Sequence, residues 1–437
     1  MEWYFAGTLL IGTVVGLMAI GVPVALAFMT ANLIGTLVFV GSFGGLTQVV
    51  DNSTALIARF QFIPVPMFIL MGSLFFYSGL AIRVFDALDT LFGRLPGRLC
   101  FLTVAGGATF STLTGSSMAN TAMLGSLMVP EMQRRGYSRS MSMGPILGTG
   151  GLAMIIPPSN LGVLLASIAS IDVGKLLVAG LIPGIVLAVL YSGLIVLQVL
   201  LNPNAAPGYD IDPSNWQQKA HAVCINILPM GIVVFMVIGF IILGIATPSE
   251  AASFGVLGAL VLAAAFRLLS WQVIWRSLES TVKVGAMVFL IIMNSSVFSQ
   301  LLAYSGASAG LLRWTTGFEM PVVALLVIIF LVLLLLGMFM DPVSMMLISI
   351  PIFFPLIATV GVNPIWFGIF MLLALEMSQT TPPFGLLLYI MLGVAPKGTT
   401  LFQVASAALP FLICDAILVG LLIAFPNLAL YLPGMMR

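Results

Sequence analysis

Polar side chains and prolines interrupt two long apolar segments of the sequence. The first interruption is Pro157-Pro158-Ser159-Asn160, in the middle of the stretch LAMIIPPSNLGVLL, and the second is SQTTPP, residues 378–383. Proline has no backbone N–H and its ring clashes with the preceding turn, so each pair predicts a broken helix. A break exposes backbone carbonyls beside hydroxyl and amide oxygens, and such neutral oxygens are suited to binding a small cation.

Two other polar stretches stand between apolar segments. They are LTGSSMANT (113–121) and GMFMDPVS (337–344), and both contain glycine, which lets the backbone approach a ligand closely. The second contains Asp341, and a carboxylate in apolar surroundings is by default a functional-site hypothesis. Asp341 is interpreted as a residue that binds or organises a cation, with capping of the following helix as the structural alternative.

The composition indicates an integral membrane protein. Of 437 residues, 61% are hydrophobic and 7% are charged, against about a quarter charged in a soluble domain. Apolar runs of about 20 residues, enough to cross a bilayer as a helix, recur along the chain, without the alternation of a membrane barrel. The net charge of +1 indicates no nucleic-acid partner, and the three cysteines lack metal-ligand spacing. We expect an all-α polytopic membrane protein that is in contact with lipid.

Prolines and a glycine recur in the sequence at an offset of 225 residues. The coinciding positions are Pro23 with Pro248, Pro130 with Pro355, Gly136 with Gly361, and Pro157-Pro158 with Pro382-Pro383. Several such matches at one offset indicate an internal repeat. We therefore divide the chain into a first repeat (1–212), the end of a linker (213–224) and a second repeat (225–437).

Basic residues predict that the two repeats are inverted in the membrane. Lys and Arg favour cytoplasmic loops, and they cluster at 83–98 and 134–139 in the first repeat but at 267–283 in the second. The apolar segment 100–132 lies between two cytoplasmic clusters, so it is predicted to be a re-entrant hairpin, and 321–358 is its equivalent from the other side. Ten spans are predicted, two of them broken: 5–20, 23–41, 62–80, 140–170, 177–200, 224–245, 248–266, 285–303, 364–394 and 401–425.

Inverted repeats with broken helices and hairpins are typical of secondary transporters. Each hairpin tip is expected to meet a helix break near the middle of the membrane, which favours alternating access over one continuous channel. An intramembrane serine protease is disfavoured because the single histidine, His221, lies far off in the linker. A cation/proton antiporter, or a proton-coupled organic-anion transporter, of the same architecture is the alternative, with Asp341 as its titrating group.

The sequence resembles a known family at these residues. The motifs are GSSMANTAMLGSLMVPEMQRRGY (115–137), IIPPS (155–159), GKLLVAGLIPG (174–184), GIATPSEAASFG (244–255), GMFMDPVSMMLISIPIFFP (337–355) and EMSQTTPPFG (376–385). In this order, and over essentially the whole chain, they resemble the large (DctM-type) membrane subunit of the tripartite ATP-independent periplasmic (TRAP) transporters. The resemblance implies a sodium-coupled importer of a small organic acid that works by an elevator motion, and not an enzyme.

The resemblance also implies partners and a location. They are a small four-span membrane subunit, expected as a separate chain because this chain begins at the first family span, and a periplasmic substrate-binding protein. Na⁺ is the implied coupling ion, with no organic cofactor, and the location is the inner membrane of a bacterium or archaeon. With no Arg or Lys at either tip or break, helix N-termini and hydroxyls are expected to hold an organic anion or a zwitterion.

The site residues implied by the resemblance follow by position. The first sodium site comprises Gly115, Ser116, Ser117, Asn120, Pro157, Pro158 and Ser159. The second comprises Gly337, Met340, Asp341, Ser378, Thr380, Thr381 and Pro382. The substrate is expected between them, near Asn120, Asn160 and Thr380. The family's first tip often has a small residue where Asn120 stands, a difference that bears on the substrate.

Three other carboxylates and two amphipathic stretches complete the predictions. Glu376 is interpreted as fixing the second broken helix by hydrogen bonds, and Glu250 as facing a helix N-terminus. Asp415 has no partner that the sequence identifies. The stretches 51–62 and 268–284 are predicted to be interfacial arm helices.

Overall fold

The structure is a computed structural model that describes residues 3–41, 45, 47, 49–51, 54, 62–91, 96–114, 116–207, 216–316, 320–383 and 385–436. Every regular element in these residues is helical, which confirms the all-α fold class. In the first repeat the helices are α1 (Trp3–Ala19), α2 (Val24–Gly35), α3 (Pro64–Tyr77), α4 (Leu80–Leu91), α5 (Arg98–Thr114), α6 (Ser117–Arg134), α7 (Arg139–Ile155), α8 (Asn160–Ile168), α9 (Val173–Ala179) and α10 (Leu181–Leu201).

The second repeat follows a short helix, α11 (Trp216–Ala222). Its helices are α12 (Leu228–Ile242), α13 (Pro248–Ala265), α14 (Trp271–Tyr304), α15 (Ala307–Thr316), α16 (Val322–Gly337), α17 (Pro342–Thr359), α18 (Pro364–Thr380), α19 (Leu386–Val394), α20 (Leu401–Ala424) and α21 (Asn427–Met435).

Helix boundaries recur at the same offset as the prolines. Both ends of α6 and α17, and both ends of α7 and α18, differ by 225 positions. The N-caps recur too: Ser138 accepts from the Met141 N–H before α7 (3.3 Å), and Asn363 accepts from the Ile365 N–H before α18 (2.9 Å). A capping side chain satisfies N–H groups that the helix leaves free, so local sequence starts these helices at equivalent points.

Contacts between equivalent residues locate the twofold relation of the repeats. A Cβ added at Gly151 of α7 would overlap the Glu376 carboxylate of α18, 225 positions later. Three residues on, the Gln379 amide donates to the Met154 sulfur at 3.8 Å, again at that offset. A twofold rotation exchanges equivalent positions, so residues that touch their own equivalents must lie beside the axis. The axis therefore passes between α7 and α18.

The helices pair as hairpins and broken helices. Helix α5 packs on α6, and α16 packs on α17, across the short tips. Helices α7 and α8 are bent by 43° at the first break, and the Pro157-Pro158 and Pro382-Pro383 peptide bonds are both cis. Among the described residues, six helical segments are long and apolar enough to cross a membrane, or eight when each bent pair is counted as one span; the prediction of ten spans stays a prediction.

One predicted boundary between an arm and a span is not a helix boundary. Most of the stretch 268–284 and the whole span 285–303 lie in a single 34-residue helix, α14, which begins at Trp271. Gly285 is the one glycine within it and no proline interrupts it, so the amphipathic half continues into the apolar half. The other predicted arm, 51–62, lies largely outside the described residues.

The interior is organised around two apolar clusters. The larger unites both hairpins, both broken helices, α3, α10, α12, α13 and α20. The smaller joins α1, α2 and α14, where Phe28 and Phe298 meet edge to face with ring centres 5.0 Å apart. The hairpins and broken helices therefore share one packed core.

Candidate functional site

The first tip is built by the start of α6. Ser116 is the N-cap, and its hydroxyl accepts from the Ala119 N–H at 3.3 Å. The next side chain, Ser117, is buried, and its hydroxyl has no hydrogen-bond partner among the described residues. Gly115 lies outside the described residues.

Asn120 ties this tip to the first broken helix. Its side chain is fully buried, and its amide nitrogen donates to the Thr149 carbonyl of α7 at 3.0 Å. Close packing supports the contact, because a Cβ at Gly150 would lie 2.7 Å from the Thr121 hydroxyl. The hairpin tip is thus held against α7 about two turns before the break.

The first break separates α7 from α8 and is bridged by Ser159. The Ser159 hydroxyl donates to the Met154 carbonyl at 2.6 Å and accepts from the Gly162 N–H at 3.0 Å. It therefore closes one helix and caps the next. The carbonyls of Pro157 and Pro158 accept no backbone hydrogen bond from the described residues, which leaves both oxygens available to a cation.

The second tip is built by the start of α17. The Asp341 carboxylate accepts from the N–H groups of Val343 (3.0 Å) and Ser344 (3.2 Å), and also from the Ser344 hydroxyl. Gly337, at the end of α16, lies against Ser378, whose side chain a Cβ at that glycine would overlap. Met340 packs at the edge of the smaller apolar cluster. The structure thus brings the second tip to the second break.

The second break presents three hydroxyls whose hydrogens are already used. Ser378 donates to the Leu375 carbonyl at 2.6 Å, while Thr380 and Thr381 both donate to the Met377 carbonyl, at 3.1 and 2.5 Å. A hydroxyl that has donated its hydrogen keeps lone pairs, so these oxygens can still coordinate a cation. Pro382, the next residue, lies in the break.

These donors fit a small monovalent cation. At the first tip, the Ser117 hydroxyl is buried without a described partner, and two break carbonyls accept no backbone hydrogen bond from the described residues. Carbonyl and hydroxyl oxygens replace the hydration shell of such ions. At the second tip, Asp341 supplies a formal negative charge, and Gly337 of the same tip lies against Ser378 of the second broken helix. No group of three His, Cys, Asp or Glu side chains suited to a metal occurs among the described residues, so a site for a transition metal is not formed there.

A cavity of about 230 Å³, called here the tip cavity, lies between the first tip, the first break, α3 and α14. Its lining residues are Ile69, Gly72, Ser73, Phe76, Tyr77, Ser116, Ala119, Asn160, Ser280 and Val284. Of the three residues predicted to contact substrate, Asn160 lies on its wall. Asn120 and Thr380 are not among these residues; the Asn120 amide donates to the Thr149 carbonyl, and the Thr380 hydroxyl donates to the Met377 carbonyl. A larger cavity, about 490 Å³, is lined by mainly apolar residues of α1, α15 and α17 and lies away from both tips.

Sequence reasoning missed two sets of residues. One is the wall of the tip cavity contributed by α3 and α14, for which the sequence carries no motif.

The other set surrounds Asp415. The Tyr191 hydroxyl donates to the Asp415 carboxylate at 2.5 Å, and Glu376 interacts with that carboxylate electrostatically. Tyr191 and Asp415 are 224 positions apart, one less than the repeat offset of 225, so they are not equivalent positions and the offset alone does not pair them. Glu376 Oε2 has no hydrogen-bond partner among the described residues, so the predicted hydrogen-bonding role is not seen for that atom.

Fold and site together define a membrane transport protein, in which hairpin tips meet helix breaks. The sequence matches the family described as "Tripartite ATP-independent periplasmic transporter, DctM component" over residues 11–428. The chain therefore belongs to the DctM family, the large permease subunits of TRAP transporters. Such subunits are inner-membrane proteins and not enzymes, and they work with a small membrane subunit and a periplasmic binding protein.

Relatives of different specificity resemble the chain almost equally. It is 29% identical to the ectoine TRAP transporter large permease protein TeaC of Halomonas elongata, covering 97% of this chain and 98% of the relative. It is 29% identical to the C4-dicarboxylate protein DctM of Rhodobacter capsulatus (98% and 99% covered). It is 27% identical to the sialic acid protein SiaM of Vibrio cholerae (96% of each covered). Identity alone therefore does not select a substrate.

A solved structure supports the fold. The Alcanivorax borkumensis YdaH transporter has a TM-score of 0.69 over 92% of this chain and 98% of its own, at 13% identity. Identity at that level shows the fold alone.

Proposed function

We propose that this chain is the translocating subunit of a sodium-coupled importer for a small organic acid or zwitterion. The observation that carries the proposal is the tip cavity, where Ser116 and Asn160, at the starts of α6 and α8, share one wall. Helix N-termini carry partial positive charge and free N–H groups, which suit a carboxylate. Relatives named for ectoine, C4-dicarboxylates and sialic acid support an organic acid as substrate.

Sodium is proposed as the coupling ion on the chemistry of the two tips. Each tip places neutral oxygens beside a helix break, and the second adds the Asp341 carboxylate. In the first site, Ser117 and the carbonyls of Pro157 and Pro158 would hold the ion; in the second, Asp341 with Ser378 and Thr381 would do so. A cation bound next to the tip cavity would favour binding of an anionic solute. This attraction would couple sodium binding to solute binding.

An elevator motion is proposed for the hairpins and broken helices. Helix α6 packs on α7 and α19, α7 packs on α18 and α20, and α16 and α17 pack on α18. Movement of this unit against α1, α2 and α14 would carry the tip cavity across the membrane. The small subunit is proposed to be a separate chain, and the binding protein to deliver the solute.

Uptake into proteoliposomes tests the proposal. The purified chain would be reconstituted with its small subunit, and solute would be supplied on its binding protein. Concentrative uptake is expected with an inward sodium gradient. No uptake is expected when either the small subunit or the binding protein is omitted. Full uptake driven by a proton gradient alone, without sodium, would overturn sodium coupling and support the proton-coupled alternative.

A further inference from the structure

The tip cavity contains no charged side chain among its described lining residues. Lys283 of α14 interacts electrostatically with Tyr77, one of the lining residues. Its ammonium is ion-paired with the Glu279 carboxylate at 2.6 Å. Because the two charges of this pair compensate each other, the pair brings no net positive charge to the cavity.

Positive potential in the tip cavity comes from two helix ends. Ser116 caps α6 and Asn160 begins α8, and both residues line the cavity. The first turn of α6 also holds the buried Ser117 hydroxyl, which has no described partner. One helix N-terminus is equivalent to roughly half an elementary charge, so the two ends together balance about one carboxylate. A second carboxylate would lose its hydration without a counter-charge, which is unfavourable.

The wall that α3 contributes to the tip cavity is aromatic. Phe76 and Tyr77 of α3 pack edge to face with ring centres 5.2 Å apart, and Ser73 and Ser280 add hydroxyls beside them. Ring faces attract cationic groups and accept apolar ones. The volume of about 230 Å³ is below the range of about 300–1,000 Å³ usual for drug-sized ligands. The wall and the volume both suit a small solute whose second end is not anionic.

We propose that the tip cavity takes a small solute with one carboxylate, whose cationic or apolar end faces Phe76 and Tyr77, and that it discriminates against dicarboxylates. The inference rests on the proposed function, since it takes the tip cavity as the substrate site.

Cysteine protection on the purified permease tests this without selection by the binding protein. Ser280→Cys, in a Cys224→Ser background, places a thiol on the cavity wall, while native Cys100 and Cys414 stay buried. The membrane subunits would be treated with a small thiol reagent in sodium, with glycine betaine, lactate or succinate added. Betaine and lactate are expected to slow labelling, and succinate is expected to need at least tenfold higher concentration for the same effect.

Each outcome separates this inference from the proposed function. Equal or better protection by succinate overturns the inference and leaves a transporter of organic acids in place. Protection by none of the three solutes overturns the tip cavity as substrate site, and the inference with it. Phe76→Leu is expected to weaken protection by betaine more than by lactate, while the distant control Tyr431→Leu changes neither. An unchanged betaine effect in Phe76→Leu would overturn the role given to the aromatic wall.

Discussion

The Asp341 side chain can be interpreted either as a helix N-cap or as a cation ligand. Its carboxylate accepts three hydrogen bonds from the first turn of α17, which is the geometry of an N-cap. The equivalent position in the first repeat is Ser116, which caps α6 in the same way. Capping and cation binding are compatible, because Oδ2 accepts from both N–H groups while Oδ1 accepts from the Ser344 hydroxyl and has a second lone pair. A substitution that keeps the cap and removes the charge separates the two.

Asp341→Asn is that substitution. Asparagine caps helices about as well as aspartate, so the variant is expected to insert and fold normally. If the charge helps to hold sodium, half-maximal uptake should require sodium on the order of a hundredfold higher, since a partly desolvated charge pairing is worth a few kcal/mol. Sodium-dependent uptake at matched membrane levels measures this. The control is Asp172→Asn, at the exposed N-cap of α9; equal behaviour of both variants would reduce Asp341 to a cap.

Gly151 is predicted to be required by Glu376. A Cβ at position 151 would overlap the Glu376 carboxylate, so Gly151→Ala should destabilise the protein by about 1–3 kcal/mol, as overpacking does. The thermal unfolding midpoint in detergent measures the effect. Adding Glu376→Ala should recover part of the loss, because it removes the group in collision. Gly420→Ala, which meets nothing within 4 Å, is the control, and a Gly151→Ala midpoint no lower than the control's would contradict the prediction.

At the scale of elements, the caps and breaks set the lengths of the helices. Thr247 and Glu250 form a capping box at the start of α13, with Glu250 Oε2 2.8 Å from the Thr247 nitrogen. This confirms the structural interpretation of Glu250 at a helix N-terminus. Capping side chains lie within a few residues of the helix ends that they stabilise. The local sequence therefore sets the helix ends in both repeats.

Inverted topology predicts opposite exposure of equivalent positions. Gln133 in α6 and Ala358 in α17 are 225 positions apart, each in the last turn of the second hairpin helix. A cysteine at position 133 is expected to react with an impermeant maleimide from the cytoplasm, and one at 358 from the periplasm. Labelling in intact cells and in inverted vesicles distinguishes the sides. Reaction of both cysteines from one side would show that the repeats are not inverted.

At the scale of the whole molecule, the tip cavity lies where two groups of helices meet. Ala119 of α6 and Ser280 of α14 both line it, one from each group. Within the hairpin and broken-helix unit, a Cβ at Gly125 of α6 would lie 2.5 Å from Val394, at the end of α19. Joining positions 119 and 280 therefore tests movement between the two groups of helices. Joining positions 125 and 394 tests movement within one group.

Crosslinking across the cavity is predicted to stop transport. In a chain without native cysteines, a short bifunctional thiol reagent joining Ala119→Cys to Ser280→Cys should abolish uptake, and a reducible reagent should make the loss reversible. The pair Gly125→Cys and Val394→Cys, crosslinked likewise, should leave most uptake intact because its helices move together. Undiminished uptake with the 119–280 crosslink in place would rule out the elevator motion.

The sequence by itself determined the membrane class, the repeat and the places where helices break. These depend on local chemistry: a run of apolar residues partitions into lipid wherever it lies, and a proline pair interrupts a helix in any fold. The cap residues Ser116, Ser159 and Asp341 act on N–H groups two or three positions away, so their neighbourhood was readable too. The family motifs are built from these same residues.

Only the tertiary structure decided which side chains face the cavity and which face the protein. The Asn120 amide and the Thr380 hydroxyl donate to nearby carbonyls, whereas Phe76, Tyr77 and Ser280 line the tip cavity together with Asn160. Tyr191 reaches Asp415 across the twofold axis, and Gly151 makes room for Glu376. Asn160 is at least 83 positions from Phe76, Tyr77 and Ser280, and the two pairs are 224 and 225 positions apart. These arrangements depend on how helices rotate and pack against each other. Helix packing is set by the whole set of interlocking side chains, so no local pattern encodes it.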